Sequence, residues 1–298
     1  MITRIYGHRR VGSFPRIIFR RSHDINFSIS EKAAHLCPVN LLKYWTLLRL
    51  AEDSCFNMNA TDRMTARLRT LAPGQVFTYR DISQESADKE AVIKRLNRMA
   101  ASGKIAKLSR GKFYQPETSP FGDLPPPLEE VVKDLLERQG QVEGYLTGLS
   151  IYPELGLSTQ VSNTIQIGKN ETRPAFQRGR YKIAFIKQKN PITRENISLL
   201  QILDALRHVK RIPDTTVAAA CERLAYLIGQ LDARAPQALL KLAMKYPPST
   251  RALLGALLEK VNPRLNTEKL KDSLNPITRY RIDGIADALT TAGEWNIV

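Results

Sequence analysis

The stretch that decides the fold runs from Asp88 to Tyr114, DKEAVIKRLNRMAASGKIAKLSRGKFY. Its first half carries a helical period. At ~100° per residue, Leu96 lies about 40° and Met99 about 20° from Val92, which makes a narrow apolar stripe. Glu90, Lys94, Asn97 and Ala101 fall on the opposite side, and Arg98 flanks them. The pattern predicts a helix over Asp88–Ser102, ended by Gly103 in the usual C-terminal position. Beyond it, Ile105 and Leu108 alternate with polar residues, and Ser109-Arg110-Gly111-Lys112 leads into Phe113-Tyr114. That reads as a β-hairpin with basic residues at its tip.

Upstream of this stretch, Thr61 or Asp62 is expected to cap a short helix with Met64, Leu68 and Leu71 on one face. Pro73-Gly74 stops it, Val76-Phe77-Thr78 is β-prone, and Thr78 caps a brief helix over Tyr79–Ser83. Helix, strand, helix, a longer helix with a polar outer face and a basic hairpin make a winged helix-turn-helix, assigned to residues 58–116. In that arrangement the third helix enters the major groove and the wing reaches the backbone or minor groove. The candidate DNA-binding residues are Thr78, Tyr79, Arg80, Lys89, Glu90, Lys94, Asn97, Arg98, Arg110 and Lys112. Lys94 and Arg98 suit phosphate or guanine, and Asn97 suits adenine. The competing reading is a winged helix that serves as a protein-interaction module.

Charge supports a polyanionic partner. Forty-five Lys+Arg against twenty-nine Asp+Glu give +16, with pI near 9.9. The excess is uneven: residues 58–115 carry twelve basic and five acidic side chains, and residues 164–211 eleven and three. Residues 117–157 reverse the sign, with two and eight. In the second basic block, Arg173, Arg178, Arg180, Lys182, Lys187 and Lys189 crowd one region. Two readings stand for them: a second polyanion surface, or a face docked against the acidic helix expected at Leu128–Gln139.

Pro116, Pro120 and Pro125-Pro126-Pro127 read as a stiff linker over 117–127. A C-terminal domain follows over 128–298, mixed α/β to residue 192 and helical from 193. Ile165-Gln166-Ile167 and Tyr181–Ile186 look like strands, and Leu- and Ile-rich helices follow from Arg194, one capped by Asp214. The tail from Leu274 is less regular. The fold class is therefore mostly α with small β pieces, α+β.

Residues 1–57 hold seven of the arginines, two of the three cysteines (Cys37, Cys55) and three of the four histidines (His8, His23, His35), without a clean hydrophobic period. They read as a poorly structured extension, with a natural start at Met58. Their spacing fits no zinc pattern, and Arg and Pro interrupt any secretory core. No stretch reaches the ~18 apolar residues of a spanning helix, and the cysteine count suits a reducing cytoplasm. There is no phosphate-binding glycine loop, H-E-x-x-H or G-x-S-x-G. No catalytic residue, cofactor or metal is expected, and the chain is read as a non-enzyme.

Several segments resemble AbiEi-type antitoxins over roughly residues 60–298. They are Gly103-Lys104-Ile105 with Arg110 to Pro116, then Gly144-Tyr145-Leu146-Thr147-Gly148 with Gly156 to Val161. Further on come Ile212-Pro213-Asp214, Tyr246-Pro247-Pro248 to Ala256, Leu274-Asn275-Pro276 and Trp295-Asn296-Ile297. The later ones look like the branch with a long helical C-terminal region. The resemblance implies the antitoxin of a type IV toxin–antitoxin operon of the abortive-infection kind. It also implies repression of its own promoter through inverted repeats, and a nucleotidyltransferase-like toxin countered with or without direct contact. Two alternatives remain: a stand-alone winged-helix regulator, and an RNA-binding module using the 164–211 block.

Overall fold

Phe77 and Phe113 stack at 6.2 Å between ring centroids and sit at the centre of the N-terminal module. The computed structural model describes residues 60–83, 89–285 and 289–298. The extension read into residues 1–57, with its Cys and His, and the Asp88 start of the third helix lie outside the described residues. The module runs α1 (Ala60–Arg69), β1 (Val76–Thr78), α2 (Tyr79–Ile82), α3 (Lys89–Ala101), β2 (Ala106–Ser109) and β3 (Lys112–Tyr114). The strands form one antiparallel sheet in the order β1-β3-β2. This is the winged-helix succession read from the sequence. Met64, Leu68, Phe77, Val92, Leu96, Ile105 and Phe113 form its core. Thr78 caps α2, its hydroxyl accepting from the Arg80 N–H while the Asp81 carboxylate accepts from the Thr78 N–H. Thr61 and Asp62 are not the caps expected: α1 already includes Ala60, so both lie in its first turn.

The Pro-rich stretch is not an extended spacer. It folds into a hairpin of β4 (Glu117–Ser119) and β5 (Gly122–Leu124), with Phe121 fully exposed at the turn. The acidic helix α4 (Leu128–Leu136) then lies against a four-stranded sheet. Residues after Leu136 leave the helix for a short hairpin, β6 (Glu137–Arg138) and β7 (Gln141–Val142). The four-stranded sheet contains β8 (Gly144–Thr147), β9 (Thr164–Lys169), β10 (Phe176–Arg178) and β11 (Tyr181–Lys187), in the order β10-β11-β9-β8. The β9–β11 pair is parallel and the others antiparallel.

This sheet and the winged helix share a core, because Leu108 of β2 is buried with Val131, Val132, Ile165, Ile167 and Ile183. One hydrogen bond and one close backbone approach reinforce the junction. The Val76 N–H donates to Glu130 Oε2 at 3.0 Å, and Gly179 takes φ +59° with room for no Cβ, since one would meet the Leu108 carbonyl at 2.5 Å. Residues 60–298 accordingly form one compact unit rather than two domains on a stiff linker.

The helical part holds a third, larger core. It is built from α5 (Tyr152–Leu155), α6 (Ile197–Arg207), α7 (Val217–Gly229), α8 (Ala235–Ala243), α9 (Pro248–Val261) and α10 (Glu268–Asp272). Asp214 does not cap α7: it sits at φ +63° and accepts from the Thr159 hydroxyl, while Thr216 accepts from the Ala219 N–H. The tail is irregular but anchored. Trp295 is fully buried, and its indole N–H donates to Glu259 at 2.8 Å. The whole is α+β, mostly helical with small sheets.

Candidate nucleic-acid interface

Val92 and Leu96 turn α3 toward the core, and this leaves Glu90, Lys94, Asn97 and Arg98 exposed along its outer side, with Lys89 exposed at the helix start. None of the cations among them forms an ion pair with a described residue. Asn97 is less free than its wheel position implies: its amide donates to the Ile93 carbonyl at 2.9 Å, and its oxygen accepts from Lys107 of β2 at 3.3 Å. These two bonds fix its amide against α3 and β2, with one N–H and one oxygen lone pair left over. Lys107 was not among the residues picked from the sequence, because nothing in a strand pattern shows which helix residue it crosses.

At the start of α2, Tyr79, Arg80 and Lys89 form a cluster. The Arg80 Nε donates to the Tyr79 hydroxyl at 3.1 Å, and Lys89 lies over the Tyr79 ring at 5.4 Å from its centroid. The Arg80 hydrogen bond holds the Tyr79 phenol below its ordinary value. Thr78 is spent on its cap, donating to Asp81 and accepting from the Arg80 N–H. Arg110 is exposed at the wing turn, beside Gly111 at φ +74°.

Lys112 is a correction. It was expected at the wing tip against phosphate, but it pairs with Asp134 of α4 at 2.7 Å and keeps 19% of its side-chain exposure. Arg178 is a second. It is buried, donating to both Asp134 oxygens at 2.6 and 3.0 Å and to the Val131 carbonyl. It therefore belongs to no polyanion surface. Burial pushes the Asp134 carboxyl up, but the bonds from Arg178 and Lys112 outweigh that and hold it below its ordinary value.

The rest of the second basic block divides. Arg173 stacks over Phe176 and Phe185, at 4.7 and 5.2 Å, and Arg180 covers Tyr181 and donates to its hydroxyl. Lys182, Lys187 and Lys189 are exposed. One sequence block thus becomes an interior ion pair, two arginines laid over aromatic rings and three exposed lysines.

A buried polar centre lies in the helical part. Asp204 is 2% exposed and accepts from Tyr145 at 2.6 Å, Thr147 at 2.8 Å and Tyr246 at 2.8 Å. Gln188 donates to both tyrosine hydroxyls. Burial, with the Asp204 charge beside them, pushes both phenols well up, so they stay protonated as donors. The signal was available in the sequence, since Asp204 interrupts an otherwise apolar face of α6. His208 is half-buried at the end of that helix. Burial and Arg207 hold it below its ordinary value. Burial pushes the Cys221 thiol up to about 12, which keeps it unreactive. Among the described residues no three His, Cys, Asp or Glu converge as a metal would need, and no helix is long and apolar enough to cross a membrane.

No curated protein matches the chain. The solved structure of the RV2827C protein from Mycobacterium tuberculosis is similar, with 14% identity and a TM-score of 0.49 over 74% of this chain and 84% of that one. A family model matches residues 63–231, which take in the winged helix, the four-stranded sheet and the first two long helices of the bundle. That match spans more than half of the sequence, and the chain belongs to DUF6088, a family of unknown function.

Proposed function

We propose that the chain is a cytoplasmic, sequence-reading DNA-binding protein, and the autorepressor antitoxin of a type IV toxin–antitoxin operon. The carrying observation is the outer face of α3, where Lys94 and Arg98 are exposed and take no ion pair among the described residues. Such a helix docks in the major groove while free cations neutralise phosphate and supply most of the affinity. The Tyr79–Arg80–Lys89 cluster flanks it for backbone contacts. Arg110 alone, rather than Arg110 with Lys112, is the wing's contribution. The antitoxin half rests on the resemblance of the 103–116, 144–161 and 246–256 segments to AbiEi-type proteins, whose partner is a nucleotidyltransferase-like toxin.

Footprinting over the DNA upstream of the chain's own gene tests the first half: protection of an inverted repeat is expected, and binding indifferent to sequence would contradict it. Co-expression with the neighbouring gene tests the second. A nucleotidyltransferase-like product that arrests growth, with rescue by this chain, is expected. A neighbour that is harmless alone would contradict it.

A further inference from the structure

We propose that the helical part binds a di- or triphosphate group in a pocket distinct from the winged helix. The pocket lies where the end of β11, the end of α6 and the turn between α8 and α9 meet, and it encloses about 230 Å³. Lys187, Lys189, Arg207 and Lys245 line it. All four are exposed, and none pairs with a described carboxylate. Four like charges around one concavity repel one another, and an anion seated among them relieves that repulsion.

The floor is built rather than fortuitous. Gln188 and Tyr246 also line the pocket and are 4% and 6% exposed. Their polar ends are fixed by the bonds to each other and to Asp204. Asp204 itself does not line the pocket, and its one negative charge is outnumbered by the four cations that do. On the rim, the Lys245 ammonium donates to the Lys189 carbonyl at 3.2 Å, which ties two of the cations together. Pro248 opens α9 against the pocket, so the positive end of a 14-residue helix adds to the field.

Size and charge select the ligand. The volume falls below the ~300 Å³ at which drug-sized pockets begin, so a whole nucleotide does not fit inside. Four cations match the three or four negative charges of a di- or triphosphate better than a single carboxylate or phosphodiester. The phosphates enter, and a nucleoside attached to them stays outside. This site is independent of the DNA-binding reading.

Calorimetric titration of the full chain with pyrophosphate at low salt tests it. Saturable one-site binding is expected, about tenfold or more weaker for the Lys189→Ala, Arg207→Ala double variant, which removes only exposed side chains. The Lys94→Ala, Arg98→Ala variant should bind pyrophosphate like wild type, which separates this site from the α3 face. ATP should compete with pyrophosphate. Tighter binding of ATP identifies a nucleotide as the source of the phosphates, and tighter binding of pyrophosphate identifies the free anion. Absence of saturable binding, equal binding of sulfate, lack of competition, or wild-type affinity in the pocket variant would each overturn the proposal.

Discussion

Lys112 Nζ lies 2.7 Å from Asp134 Oδ1, and the same oxygen takes a bond from Arg178 at 2.6 Å. One carboxylate on α4 therefore fastens the wing strand on one side and the edge of the four-stranded sheet on the other. The wing is held beside its turn, at the first residue of β3, with Arg110 left exposed at the turn itself. This explains why an acidic stretch separates two basic blocks in the sequence: part of its charge is spent between them.

Asp134→Ala should destabilise the chain by about 2–4 kcal/mol in urea unfolding. The variant strands a buried guanidinium, and hydrogen bonds to charged groups are worth ~1.5–3 kcal/mol each. Lys112→Ala should cost about 1 kcal/mol or less, since it leaves the stronger Arg178 bonds in place. Equal effects of the two variants would show that Arg178 does not depend on Asp134.

Acid should erase the first of these differences. The folded Asp134 carboxyl lies below its ordinary value, so its contribution is complete above the unfolded value of ~3.9. It is lost as the pH falls through the folded value. Urea unfolding of wild type and Asp134→Asn should converge through that window and stay parallel between pH 6 and 8, about two units of pH above the ordinary aspartate value. A gap that widened toward acid would contradict the sign.

Gly255→Ala should be poorly tolerated although glycine is a weak helix former. A Cβ there would meet the Trp295 ring at 2.2 Å, and overpacking of that kind costs ~1–3 kcal/mol. Trp295→Ala should cost about 3–5 kcal/mol, as expected for a large buried side chain, and should partly rescue Gly255→Ala in the double variant. Additive losses would mean that the two residues do not share one space.

Tyr246→Phe removes one of three donors to Asp204 and should cost ~1–3 kcal/mol for the unmet bond of a buried charge. Thermal unfolding of Tyr246→Phe and of Tyr246→Phe with Asp204→Asn checks it. The double variant should recover part of the loss, because a neutral amide needs fewer donors. A Tyr246→Phe protein as stable as wild type would place water at the carboxylate.

The winged helix was legible because its signals are local: the Val92–Leu96–Met99 stripe, Gly103 and the alternation into Phe113 each act within a few residues. What sequence could not show was tertiary partnership. Lys112 and Arg178 are ordinary surface cations by pattern, and only the fold brings Asp134 to both. The Pro-rich stretch misled because proline marks turns as well as spacers, and here Pro120 sits at a hairpin turn. Arg207 and Lys245 join Lys187 and Lys189 from distant points of the chain, so the pocket has no linear trace.

The central claim is that α3 carries the nucleic-acid contacts, and the salt dependence of binding tests it most directly. Affinity for a duplex from upstream of the chain's own gene should be measured over a range of salt, for wild type and for Lys94→Ala, Arg98→Ala. Each phosphate contact contributes ~0.9 to the slope of log affinity against log salt. The account predicts a slope flattened by about two in the double variant, with weaker binding throughout and an unchanged fold. An identical slope and affinity in the two proteins would place the DNA, if bound at all, elsewhere on the molecule.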